Sequence, residues 1–203
     1  MYSNYPADYQ KAIEFHGHCC PGLAIGYLAS KLALEHLKVE RAVDEELVAI
    51  VECDACGIDA VQSLLGCTIG KGNLIFKDHG KQAYTIGNRQ TGQAVRVVMT
   101  GEIAPLSREQ EEIRNAVFGG SATPEQETAW RELQQQRVES MLTTPPEKLF
   151  KVREVDLELP SEAKIFGSVI CEYCGEKIME ARARLKNGKI ACLACTEEYT
   201  RGW

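Results

Sequence analysis

The chain has 203 residues, 44% of them hydrophobic, enough for one ordinary domain with a real core plus a small appendix, so disorder is excluded as the default. A net charge of -6 argues against a protein built mainly to coat nucleic acid or bind an anionic membrane surface. Nine cysteines beside four histidines exceed ordinary usage; in a reducing compartment such clusters serve as metal ligands or reactive thiols, and an odd count leaves one outside any disulfide scheme.

No charged-then-apolar leader precedes Phe15, and no apolar run approaches the ~18 residues of a membrane span, so a soluble cytoplasmic protein without a membrane partner is expected. FHGHCCPG, residues 15 to 22, crowds two histidines and two cysteines ahead of a proline and a glycine. Pro21 suits the first helical position, which makes Cys20 the N-cap of a helix over GLAIGYLASKLALEHL. Ile25, Leu28, Ala29, Leu32 and His36 would share one face of it. His16 and His18 alternate in an extended approach, and the helix dipole is expected to lower the Cys20 thiol pKa.

LVAIVEC (47 to 53) reads as a buried strand and GIDAVQSLLG (57 to 66) as a helix opened by Cys56, with Asp59 one turn on and Cys67 closing it. GCTIGKGN is a glycine-rich loop whose amides and Lys71 suit an anion, although it lacks the spacing of a Walker loop. NLIFKDHGKQAYTIGN reads as a hairpin turning near His79 and Gly80, and GQAVRVVMTG as a further strand. Strands and helices mix without regular alternation, which predicts an α+β fold.

From residue 107 the texture turns polar and helical. Ser107 with Gln110, and Thr123 with Gln126, have capping-box spacing, and the two helices meet at GGSA. KVREVDLELP (151 to 160) alternates like an edge strand. The expected division is a core over 1–164, with a helical arm at about 105–150, and a separate module over 165–203.

That module holds Cys171, Cys174, Cys192 and Cys195 as two CxxC pairs with seventeen residues between them. Four thiolates at this spacing suit tetrahedral structural zinc better than two disulfides or a rubredoxin-like iron. Asn187-Gly188 is a type I′ hairpin signal, and the order of knuckle, hairpin and a CxxC opening a short helix through Tyr199 is a treble clef. Residues 165 to 203 carry six Lys/Arg against five Glu, a weak footprint for nucleic acid, so a protein partner is favoured.

In the core, His16, His18, Cys20 and Cys56 lie at two ligand-rich helix starts and read as one shared site. An imidazole beside an activated thiol suits nucleophilic chemistry, and imidazole with thiolate suits a soft divalent metal. Cys19 and Cys53 read as packed small hydrophobes, His36 as a C-terminal dipole partner and His79 as a solvated turn residue.

FHGHCCPGLAIGYLA resembles the FHGHxCPG signature of the FmdE family of formylmethanofuran dehydrogenase, and CGIDAVQSLLGCTIGKGNL resembles its second signature; the likeness is strongest over residues 10 to 100. The resemblance implies an α+β core, an auxiliary treble-clef zinc finger and a homodimer. It implies His16, His18, Cys20, Cys56, Asp59 and Cys67 as a core site for a second divalent metal, zinc or similar, with Lys71 in the second motif. The role it implies is that of a metal-binding accessory to a molybdenum or tungsten oxidoreductase that captures CO₂ as a formyl group. The chain has no closely spaced cysteine quartet of ferredoxin type and would not perform that redox step alone. Two rivals remain. One is a stand-alone enzyme in which Cys20 or Cys56, or a metal-bound water, acts with His18 and Lys71 on a small anionic substrate. The other is a regulator that binds protein or nucleic acid through the finger.

Overall fold

A helix that the sequence reading lacks opens the described chain, which runs from residue 4 to residue 196 of the computed structural model. Helix α1 (Ala7–His16) buries Tyr9, Ala12 and Ile13, the i, i+3, i+4 spacing of one helical face. His16 is therefore its last residue, not part of an extended approach, and Gly17 ends the helix in the left-handed region at φ 92°. Helix α2 (Pro21–Leu37) starts at the expected proline but is not a one-sided stripe. Every residue from Leu23 to Ser30 is buried, so its first turns are wrapped on all sides, while Leu32 is only half-buried and His36 is exposed.

Strands β1 (Leu47–Val51), β2 (Leu74–Phe76), β3 (Ala83–Asn88), β4 (Ala94–Met99) and β5 (Phe150–Glu154) form one sheet in the order β2-β1-β3-β4-β5. Only the β1–β2 pair is parallel. The hairpin expected over residues 73 to 88 is thus absent: β1 lies between β2 and β3. The physical reason is that β1 is apolar and buried throughout, so it takes a partner on each edge, and the intervening chain hooks round its end. The amides of His79 and Lys81 both donate to the Glu52 carbonyl at that end. β5 stops at Glu154 instead of continuing to Pro160, whose carbonyl accepts from Arg89 Nη1.

One core unites α1, α2 and α3 (Gly57–Leu65) with the sheet face that carries Leu47, Ala49, Val51, Tyr84, Ile86, Val95 and Val97. Each fully buried aliphatic side chain of this kind contributes about 1.5–3 kcal/mol. The arm is helix α4 (Arg108–Phe118) and helix α5 (Pro124–Thr143), both with complete capping boxes, followed by α6 (Pro146–Leu149). α4 buries no residue, whereas Val138 and Met141 of α5 join the core.

The chain divides into two compact units after Glu162. In the second, β6 (Ser168–Ile170) pairs with β7 (Lys177–Met179), and β8 (Arg184–Lys186) pairs with β9 (Lys189–Ala191). Asn187 and Gly188 join β8 to β9 at φ 52° and 77°, the left-handed pair of a type I′ turn. A single 3₁₀ turn, Leu193–Cys195, follows the last strand; the helix expected through Tyr199 lies outside the described residues. Fold and sequence reading therefore agree on α+β with a small cysteine module at the C-terminal end.

Candidate functional site

Two helix starts are driven together in the core by missing side chains. A Cβ at Gly26 of α2 would fall inside the backbone of Gly57 of α3, and one at Gly22 would lie 3.2 Å from Cys56 Cβ. Only glycine permits helices to approach so closely. Cys20 caps α2 in extended conformation, its Sγ accepting from the Leu23 amide at 3.4 Å, and Cys56 stands directly before Gly57. The end of α1 brings His16 Nε2 to 3.8 Å from Cys20 Sγ. One donor atom each from His16, Cys20 and Cys56 thus lies within 4.8 Å of the others.

Asp59 stands behind this trio. Its Oδ2 is 2.7 Å from His16 Nδ1, and its Oδ1 accepts from Gln62 Nε2 at 3.2 Å. A carboxylate on Nδ1 assigns the proton there and leaves the Nε2 lone pair facing the thiols, the orientation a metal-ligating histidine takes. Against the dipole expectation, burial pushes the Cys20 thiol up to about 12, with Cys56 beside it adding to the rise and the Leu23 amide offsetting only part. Desolvation outweighs the helix start here. Two sulfurs and an imidazole, one oriented from behind, fit a soft divalent cation such as zinc.

The other expected site residues fall elsewhere. His18 stacks on His16 with ring centroids 4.4 Å apart and is not in the trio; burial first, then His16, lowers its pKa. Cys67 is at the far end of α3, donating to the Leu47 carbonyl at 3.5 Å, and burial pushes its thiol up to about 12. Lys71 Nζ donates to the Asp44 carbonyl at 2.7 Å, and the glycine-rich loop binds itself, the Thr68 amide donating to Asn73 Oδ1 at 2.9 Å. Cys67 and Lys71 are therefore structural in position. Cys19 meets the Tyr9 hydroxyl at 3.8 Å and Cys53 donates to Gln82 at 3.5 Å, the packing roles expected of them. His79 is not merely solvated. It contacts Glu52 at 3.2 Å, and Glu52 takes two bonds from Arg96 at 2.8 and 2.9 Å. His36 lies 3.6 Å from Glu154.

A cavity of about 920 Å³ opens beside the trio, with His18, Cys20 and Cys56 on one side and Phe118, Trp130 and Arg131 of the arm on the other. Sequence reading missed the arm residues. The signal was present: Phe118 and Trp130 are large aromatics in two otherwise polar helices, and they meet edge to face at 6.0 Å.

In the C-terminal unit one sulfur each from Cys171, Cys174, Cys192 and Cys195 also lies within 4.8 Å of the others, Cys174 and Cys192 being 3.9 Å apart. The Cys174 and Cys192 amides aimed at Cys171 hold its thiol down to about 6, while its neighbour Cys192 pushes Cys195 up to about 12. Such uneven thiols sharing one centre fit a cation that takes four sulfurs.

Comparison with known proteins follows the same division. A family model described as prokaryotic dksA/traR C4-type zinc finger matches residues 164–201. A probable S-adenosyl-L-methionine-binding protein of Archaeoglobus fulgidus is 38% identical over 205 residues, covering 93% of this chain and 52% of that protein. The chain spans about half the length of that curated relative. The crystal structure of an FmdE-like protein of tungsten formylmethanofuran dehydrogenase from Syntrophus aciditrophicus superposes with a TM-score of 0.56 at 26% identity, over 92% of this chain and 88% of that one. A second family model, FmdE, molybdenum formylmethanofuran dehydrogenase operon, matches residues 15–151 and so runs past the two signatures through the arm and into β5; this chain belongs to the FmdE family.

Proposed function

We propose that the chain is a metal-binding accessory protein in which His16, Cys20 and Cys56 hold a divalent cation in the core and the four C-terminal cysteines hold a structural zinc. The observation that carries the reading is the convergence of one imidazole and two sulfurs from three separate helix ends, with Asp59 fixing the imidazole from behind. Three protein donors leave a tetrahedral ion one position for an outside group, which distinguishes the core centre from the four-sulfur one. The core domain, residues 1–164 with its arm, carries the working site; the module over 165–203 is too small to fold without metal. Family membership favours action beside the other components of a molybdenum or tungsten oxidoreductase. Among the described residues no helix is long and apolar enough to cross a membrane, in keeping with a cytoplasmic setting.

The working form is a homodimer. Ile170, Met179, Leu185 and Leu193 are exposed apolar side chains on the small module, and a second copy would cover such a surface. Sedimentation at micromolar concentration should give twice the chain mass; a monomer would refute that part.

Metal analysis of purified protein tests the main reading. The wild type should hold about two cations per chain, Cys20→Ser about one, and His18→Ala about two, because His18 is stacked behind the trio and gives no donor to it. Equal metal in the wild type and Cys20→Ser would sink the reading.

A further inference from the structure

We propose that the cavity between the His/Cys trio and the arm binds a flat, conjugated anion: its ring lies against Trp130 and Phe118, its charge meets Arg131, and a donor atom at its other end reaches the core cation. This rests on the core-metal reading above.

The cavity's about 920 Å³ suits a small molecule of one to three rings. Its two walls differ in chemistry. Cys20 and Cys56, two of the three proposed ligands, line one wall, so an ion held by them is reachable from the cavity. The opposite wall is a helix hairpin of otherwise polar sequence that spends two large aromatics here. Phe118 is the last residue of α4 and Trp130 stands on α5, meeting at 6.0 Å and 77°, an edge-to-face pair. Phe118 nonetheless keeps 77% of its surface exposed. A pair that leaves so much aromatic surface open gains by covering it with another ring.

Charge selects the ligand further. Two thiolates and a neutral imidazole balance a divalent cation, so the metal end is close to neutral. The arm side sets Arg131 and Arg137 against Glu132. Arg137 is already committed to the Ala104 carbonyl at 2.8 Å, whereas Arg131 bonds only the nearby Thr128 hydroxyl at 3.1 Å, through one nitrogen. Its remaining donors suit a carboxylate or phosphate, and its planar guanidinium next to Trp130 in sequence suits a conjugated one.

The test uses the full chain loaded with cobalt(II) and isonicotinate as probe, which joins a ring nitrogen for the metal, a flat ring and a carboxylate at the far end. The four-cysteine centre also takes cobalt, so Cys20→Ser protein provides the reference spectrum to subtract. Isonicotinate should shift the core cobalt absorption and bind about tenfold tighter than pyridine, which lacks the anion, or benzoate, which lacks the donor. Trp130→Ala and, separately, Arg131→Gln should weaken isonicotinate by up to about tenfold while cobalt affinity stays the same. Core cobalt bound normally, with isonicotinate no tighter than pyridine and benzoate or indifferent to both substitutions, would overturn the proposal and leave the metal site standing. No cobalt at Cys20 would overturn both, and the subtracted spectrum tells the two failures apart.

Discussion

Gly26 of α2 and Gly57 of α3 touch backbone to backbone, and this contact lets Cys20 and Cys56 share a centre. Gly26→Ala must separate the two helix starts. It should destabilise the fold by roughly 1–3 kcal/mol, as overpacked cores do, and release the core cation while the four-cysteine centre keeps its own. Urea unfolding paired with metal analysis checks both effects; a variant with normal stability and full metal would show that the close approach is incidental.

Asp59 acts on the metal through His16, so Asp59→Asn should leave the fold intact and weaken core binding about 10–100-fold. Competition against a chromophoric chelator measures it. Unchanged affinity would remove Asp59 from the account.

Replacing Cys195 with Ser takes one sulfur from a centre that organises two short hairpins. The module should lose its zinc and its amide protection over residues 168–191, while the core domain keeps its unfolding midpoint. Hydrogen exchange read separately for the two units distinguishes this from global loss.

Acid stability follows from Glu52. The paired bonds from Arg96, aided by His79, hold its carboxyl below the usual glutamate range in spite of burial. A folded pKa below the unfolded one means that this stabilisation is present above the unfolded value and is lost as pH falls through the folded value. Glu52→Gln should flatten that acid limb and cost about 3–5 kcal/mol at neutral pH, since it leaves the Arg96 charge largely buried and half-paired. Denaturant midpoints from pH 7 downward test it; a Glu52→Gln limb as steep as the wild type would contradict the assignment.

What could be read in advance depended on how local each feature is. The four-cysteine centre lies within 25 residues, its spacing and the Asn187-Gly188 turn both being local, and its geometry follows the sequence closely. Cys20 as N-cap before Pro21 was equally local. Cys67 and Lys71 were placed wrongly because a glycine-rich loop has the same composition whether its amides hold an anion or its own Asn73. The strand partners of β1 were misjudged because turn signals near His79 mark a change of direction and not which strand lies alongside. The helix-start argument for an acidic Cys20 failed because burial, set by tertiary packing, outweighs the dipole. Trp130 and Phe118 could be seen as odd in a polar arm, but not that the arm would face the trio.

The most direct measurement of the core centre is an anomalous difference map from crystals of the zinc-loaded protein, collected on both sides of the zinc edge. Two peaks per chain are expected, one among the four C-terminal sulfurs and one bonded to His16 Nε2, Cys20 Sγ and Cys56 Sγ at about 2.0–2.3 Å. A single peak at the C-terminal cysteines, with the His16–Asp59 pair intact and no density among the trio, would contradict the account.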